Sequence, residues 1–487
     1  MGKRFRVCDL NQPFLLPPSL QDWLPEGHLA RFLADLSEEL DLSSIYAAYA
    51  RKDGRGQAAY HPLLMVRVLL YAYCLGVMSS RRIERATYED VAFRYLAADQ
   101  HPDHDTLASF RQEHLASLAG LFAQALGLCQ RAGLVKLGHV AIDGTKMKAN
   151  ASKHKAMSYE RMGEAEKKLQ EQVDQLLAEA ARVDREEDQK YGPGQRGDEL
   201  PAELARRESR LQKIRAAKAE LEQEAKERAE QEKAAMEAKL EERRRQEEER
   251  GKRFGGRPPQ VPDPEQAQPD GKAQRNFTDP DSRILKDGAS KSFLQGYNAQ
   301  AAVDAERQII VAASLTQQTN DKQQLIPMLE LVQQTTGRWP ETATADTGYF
   351  SQANVTDEKV KAVSLLVPPD RQKHGGEAAQ ARASAEAAVI QQMRQKLQTP
   401  EGQTVYARRK AVVEPVFGQI KGVRGIRGFL LRGLTKVDAE WKLICATHNL
   451  LKLFRSGWNP KLEKCETRKS LCWNANFGGL APVPQKG

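Results

Sequence analysis

Three acidic residues far apart in the chain, Asp143, Asp346 and Glu414, stand in surroundings that could make a carboxylate reactive. Asp143 ends the apolar run His139-Val140-Ala141-Ile142 and precedes Gly144-Thr145-Lys146. Asp346 follows Thr342-Ala343-Thr344-Ala345 and precedes Thr347-Gly348-Tyr349-Phe350. Both read as the carboxyl ends of strands, where α/β sheets collect functional groups. Asp-Gly after a strand is also ordinary turn chemistry. Glu414 lies in a segment whose Val413, Val416, Phe417 and Ile420 form an apolar helical stripe, with Pro415 near its start or at a kink. Lys421 follows seven residues later, two turns along the same face, with Gln419 and Lys410 close around the surface. A carboxylate so flanked can ligate a metal while the cations hold a phosphodiester, and the same pattern suits a salt-bridged surface helix.

Three carboxylates from separate elements are what two-metal phosphoryl transfer needs. Magnesium prefers oxygen ligands and few of them from the protein, since water and phosphate complete its shell. Two ions about 3.5–4 Å apart would activate the attacking oxygen and stabilise the leaving one. A histidine-based centre fits worse: His101 and His104 lack the helical i, i+4 spacing and have Pro102 between them, which suits a loop or helix cap.

The elements that must position these acids follow from pattern and composition. With 487 residues, 40% hydrophobic and 29% charged, the chain is long enough for several domains. No run approaches the roughly 18 apolar residues of a membrane span, and no apolar stretch follows the charged start, so a cytoplasmic, nucleoid-associated protein is expected. The cysteines at 8, 74, 129, 445, 465 and 472 form no CxxC pair, which argues against a disulfide scaffold or a thiolate zinc site. The net charge of +9 is uneven: residues 401–487 hold 16 Lys and Arg against 6 Asp and Glu, and the rest of the chain is nearly neutral. Such a surplus suits phosphate contact or a solvated basic tail.

Residues 1–132 read as short helices, one opening at His61-Pro62, a second at Ser79-Ser80-Arg81-Arg82 with an imperfect capping box to Glu84, a third capped by Asp103 or Asp105. Arg on their outer faces, Arg81 and Arg82 included, suits a DNA-binding module as well as a plain bundle. Residues 133–156 supply the first strand of an α/β core. In 157–253, Met162, Leu169, Leu176 and Val183 recur every seven residues, as do Leu204 with Leu211 and Ile214 with Leu221. Two heptad helices around Gly192-Pro193-Gly194 predict an antiparallel coiled-coil hairpin inserted into the core. Residues 254–275 read as a linker and 276–455 as the remaining core, with strands at 295–304, 308–315, 342–345 and 362–367 and a helix capped by Asp321. Residues 456–487 form a basic tail.

Taken in order, Val140-Ala141-Ile142-Asp143-Gly144-Thr145, Gln295-Gly296-Tyr297-Asn298-Ala299-Gln300, Ala345-Asp346-Thr347-Gly348-Tyr349-Phe350 and Val413-Glu414-Pro415-Val416-Phe417-Gly418-Gln419-Ile420-Lys421 resemble a DDE transposase of bacterial insertion sequences, of the family numbered 1182. The resemblance runs over roughly residues 10–455. It implies an RNase H-like catalytic core, Asp143, Asp346 and Glu414 as catalytic and metal-binding residues, and Mg²⁺ or Mn²⁺, two ions, as cofactor. It further implies double-stranded DNA as partner, both the terminal inverted repeats and the target, with a homodimer or higher multimer at work. Around the last acid, Tyr406, Arg409 and Lys421 match the related Y-x2-R-x3-E-x6-K pattern, except that four residues separate Arg409 from Glu414. Lys410 takes the strict Arg position, so Tyr406, Arg409, Lys410 and Lys421 are the expected DNA contacts and Arg409 and Lys410 remain alternatives. A protein that binds DNA on the same fold without catalysis is the other reading.

Overall fold

The computed structural model describes residues 19–51, 58–191, 202–251, 261–286, 292–369 and 385–460. Residues 1–147 with 298–487 make one compact unit and residues 148–297 a second. The second is wider at both ends than the 157–253 that the heptads outline.

The first unit begins with α1 (Leu29–Ser37), α2 (Ser43–Ala50), α3 (Pro62–Leu75), α4 (Ser80–Glu89), α5 (Val91–Leu96), α6 (His104–Glu113) and α7 (Leu115–Arg131). Pro62 at the first turn of α3 needs no hydrogen-bonded N–H, and His61 Nδ1 caps the helix by accepting from the Leu63 N–H at 3.3 Å. Gly76 ends it at φ +77°, and a Cβ there would sit 1.8 Å from the Arg424 carbonyl, so only glycine fits. Asp103 caps α6 through the Thr106 N–H, as expected. Glu84 forms no capping box: it accepts from the His104 backbone and Nδ1 instead, while His101 stacks on Tyr88.

Strands β1 (His139–Lys148), β2 (Ala156–Ser158), β3 (Gln274–Asn276), β4 (Arg283–Lys286), β5 (Phe293–Asp304), β6 (Ile310–Thr316), β7 (Thr342–Thr344) and β8 (Ser364–Leu366) follow. In the first unit they are ordered β6-β5-β1-β7-β8, with β5–β6 antiparallel and β1–β7 and β7–β8 parallel. The later helices are α8 (Tyr159–Tyr191), α9 (Ala202–Arg250), α10 (Leu325–Thr336), α11 (Gln352–Thr356), α12 (Ala385–Gln398), α13 (Pro400–Gly418) and α14 (Leu434–Arg455). Ala299, Ala301, Ala302 and Val303 of β5 are fully buried. α14 lies against β6, α7 and α3, with Trp441 buried and its Nε1–H donating to the Gln300 carbonyl at 3.0 Å. Residues 19–132 are therefore part of the core unit rather than a separate module. Cys74 and Cys129 point their thiols at the α14 carbonyls of Thr447 and Asn449. These two and Cys445 are free and buried; Cys8, Cys465 and Cys472 lie outside the described residues.

In the second unit α8 and α9 pack through Met162, Leu169, Leu211, Ile214, Ala217 and Leu221. Leu176 is half-buried, whereas the Val183 and Leu204 side chains and the Gly192-Pro193-Gly194 turn lie outside the described residues. Residues 261–275 are more than a linker: β3 pairs antiparallel with β2, and Glu265 bonds Lys226 at 2.6 Å. Residues 252–260 and the tail beyond 460 lie outside the description.

Candidate functional site

The parallel register of β1 and β7 pairs Val140 with Ala343 and Ala141 with Thr344. Two residues beyond that last pair come Asp143 on one strand and Asp346 on the other. Side chains two apart on extended backbone share a face, so the register itself sets the two carboxylates side by side. β1 does not stop at Asp143, as the apolar run suggests, but continues to Lys148, so Asp143 stands within the central strand and Asp346 just past the end of β7. Val140, Ala141 and Ile142 are fully buried and hold the strand in place. Asp346 caps a short 3-10 turn, Thr347–Tyr349, accepting from the Gly348 N–H at 2.8 Å.

Asp143 accepts from the Gly144 N–H at 2.8 Å, and its Oδ2 pairs with Arg409 Nη1 at 3.1 Å. Burial pushes its carboxyl up to about 6; the Arg409 charge opposes this, and the carboxylates of Asp346 and Asp321 add to it. Arg409 comes from α13, whose start is capped by Thr399 on the Gly402 N–H and whose Val412, Val413 and Val416 bury one face. The guanidinium also lies 5.9 Å from the Tyr406 ring centroid. Arg409 is only 8% exposed, and Lys410 is exposed. Arg409 is therefore the cation that faces Asp143.

Glu414 is exposed on α13, between two points where that segment touches β1: Arg409 on Asp143, and Lys421 Nζ donating to the Lys146 carbonyl at 2.7 Å. The carboxylates that bear most on Asp143 are Asp346 and Asp321, not Glu414. The helix widens into a π turn over Gln419–Val423, so Lys421 no longer falls directly two turns above Glu414 as the sequence spacing implies. Arg81 and Arg82 are exposed on α4 and make no contact with the acids.

Asp321 does not cap α10, whose N-cap is Gln324 with no side-chain bond. Its Oδ1 instead accepts from Asn298 Nδ2 at 2.6 Å and Gln300 Nε2 at 2.7 Å, and Lys146 Nζ lies 3.9 Å away. Burial draws the Lys146 ammonium down while Asp321, Asp143 and Asp346 push it up. Tyr349, fully buried, donates to Gln300 Oε1, and burial together with the same three carboxylates keeps its phenol protonated. A Cβ on Gly144 would stand 2.4 Å from Gln300 Nε2 and 2.9 Å from Asp321 Oδ1, so the strand can approach this network only as glycine. One signal in the sequence pointed here: Asn298 and Gln300, two apart in a strand of small apolar residues, are polar groups on one face that must find buried partners.

Among the described residues no three Asp, Glu, His or Cys are already gathered as a metal cluster. The donor chemistry nevertheless suits a hard divalent ion: Asp143, Asp346 and Asp321 offer carboxylate oxygens. Asn298, fully buried, offers an Oδ1 with no hydrogen-bond partner. Its amide orientation is settled because Nδ2 faces two acceptors, Asp321 Oδ1 and the Gln318 carbonyl.

Residues 18–113 match a family described as a transposase domain (DUF772), and residues 370–454 match one described as a transposase DDE domain. No curated protein and no solved structure matches the chain.

Proposed function

Carrying both of these segments, the chain belongs to the insertion-sequence DDE transposases, and we propose that it binds the terminal inverted repeats of its own element, cleaves the DNA there and joins the freed end to a target. Its placement in insertion-sequence family 1182 is part of this reading. The strand order β6-β5-β1-β7-β8, with parallel pairing from β1 to β8, supports an RNase H-like core.

The observation that carries the proposal is the β1–β7 register, which delivers Asp143 and Asp346 together, with Arg409 on the first of them. Asp143, Asp346 and Glu414 would hold Mg²⁺ or Mn²⁺, two ions, which when bound supply Lewis acidity to the attacking and leaving oxygens. Closing that triad requires Glu414 to turn from solvent toward Asp143 and Asp346, the side of α13 flanked by the two β1 contacts. Arg409 offers a fork and Lys421 a point charge to DNA phosphate, with Tyr406 packed beside Arg409. Lys410, exposed, would meet DNA from outside the site. In the first step water attacks phosphorus and the strand's 3′-oxygen leaves, taking a proton. In the second, the free 3′-hydroxyl attacks a target phosphodiester, loses its proton, and displaces a target 3′-oxygen.

Arg81 and Arg82 on α4, the helical amino-terminal residues and the basic tail are the proposed contacts for inverted repeats, and a dimer or higher multimer would hold two ends at once. The deciding experiment is cleavage of DNA carrying the segments that flank the reading frame, with Mg²⁺ or Mn²⁺, by wild type and Asp346→Asn. Nicks at the segment boundaries that need both metal and Asp346 support the reading; cleavage retained by Asp346→Asn sinks it.

A further inference from the structure

The inserted unit contains a cleft of about 580 Å³ lined by His154, Lys155, Arg206, Arg210 and Lys213, floored by Ile214 and Phe277. No acidic side chain lines it. Arg206, Arg210 and Lys213 fall at i, i+4 and i+7 of α9, which places them on one face about 6 Å and 4.5 Å apart along the axis. Lys155 and His154 come from the 3-10 turn Lys153–Lys155. All five side chains are exposed, and among the described residues none of the four Lys and Arg enters an ion pair.

Several cations elsewhere in the same unit are matched by acids. Arg215 and Lys218 share Glu166, Arg275 is clasped by Glu220 and Glu224, Arg283 meets Glu224, and Lys226 meets Glu265. Around this one concavity four cations converge with no acid among the lining residues. Like charges at i, i+4 on a helix oppose its folding, so this arrangement gains only when an anion arrives. An apolar floor lowers the local dielectric and strengthens that attraction. Ser209 and Thr278, also on the cleft wall, add hydroxyl donors of the kind that bond phosphate oxygens.

We propose that this cleft binds the phosphodiester backbone of duplex DNA, independently of base sequence. The proposal rests on the reading that the chain handles DNA, but not on cleavage or on recognition of particular ends. It is tested with the full chain and a 30-base-pair duplex of random sequence in EDTA, following fluorescence anisotropy across a salt series. In the triple variant Arg206→Gln, Arg210→Gln, Lys213→Gln, the slope of log K against log salt should flatten by roughly 2–3, since each lost phosphate contact contributes about 0.9. Affinity at low salt should drop at least about tenfold. The charge-preserving variant Arg206→Lys, Arg210→Lys, Lys213→Arg should retain the wild-type slope. An unchanged slope in the Gln variant, or no binding of the duplex by wild type, overturns the proposal. Because EDTA removes metal and the probe lacks the element's ends, a failure of end cleavage leaves this result standing, and the reverse also holds.

Discussion

Arg409 Nη1 lies 3.1 Å from Asp143 Oδ2, which ties the helix bearing Glu414 to the middle of the central strand β1. The pair spans 266 residues of sequence, and both partners are largely shielded from solvent. A guanidinium there neutralises one carboxylate of a crowded group and holds α13 in place, ready to give way or share its charge when phosphate enters.

Replacing Arg409 separates those two jobs. Arg409→Ala should lose about 1.5–3 kcal/mol of stability, the scale for a charged hydrogen bond, and should abolish DNA cleavage. Arg409→Lys keeps the charge but not the fork, so stability should largely return while cleavage remains at least about tenfold down. Urea unfolding and end-cleavage rates, measured on both variants, check this; full cleavage by Arg409→Lys would show that the fork is not used.

Asp321 carries two roles that substitution can divide. Asp321→Asn keeps an oxygen for the amides of Asn298 and Gln300 and should cost little stability. Asp321→Ala leaves Gln300 Nε2 without its acceptor and Asn298 Nδ2 with the Gln318 carbonyl alone, and should cost about 1–3 kcal/mol. Equal unfolding midpoints for the two variants would refute the hydrogen-bonding role. If Asn alone lowers cleavage, the charge beside Lys146 matters to the chemistry.

Gly144→Ala should be among the most damaging single-methyl changes in the chain. Its Cβ would meet Gln300 Nε2 at 2.4 Å, and both flanking groups are anchored. Overpacking of this kind costs about 1–3 kcal/mol, and the displaced β1 should weaken metal binding at Asp143. Calorimetric titration of the folded variant with Mn²⁺, beside its thermal unfolding, would show a wild-type-like profile only if the network can yield.

Acid should destabilise the fold from about pH 6.5 downward. Burial holds His139 down to about 4 and His448 down to about 3. The unfolded chain therefore takes up these protons near 6.5 while the folded chain refuses them, so their contribution is complete above pH 6.5 and is lost as pH falls. Each contributes a slope of roughly 1.4 kcal/mol per pH unit inside its window. Asp143, raised to about 6, works in the opposite sense between about 6 and 3.8 and offsets part of the loss. Urea midpoints at pH 7.5, 6 and 5 should fall in that order, and His139→Gln should flatten the fall.

Much of the fold was legible because its signals are local. Strands at β1, β5, β6, β7 and β8 read as apolar runs bounded by turns, and the helix start at His61-Pro62 and the cap at Asp103 were visible as residue types in position. Asp143 and Asp346 could be singled out for the same reason, although β1 runs on past Asp143 to Lys148. Local pattern also misled where a side chain had a distant alternative. Asp321 has the composition of a helix cap, yet two buried amides on β5 outbid a cap that water can replace. Glu84 likewise turned from a capping box to His104.

By itself the sequence determined the strand and helix periods, the placing of Asp143 on a buried strand and of Asp346 just past another, and the amphipathic helix of Glu414. Those depend on interactions within a few residues, which spacing records directly. Only the tertiary structure decided that Arg409 rather than Lys410 reaches Asp143, that Asp321 joins the acids, and that four cations of the inserted unit stand around one cleft without counter-charge. Each of these depends on which surfaces meet across long separations in the chain. Register, helix phase and the demand of buried polar groups for partners settle that, and they act only once the chain is packed.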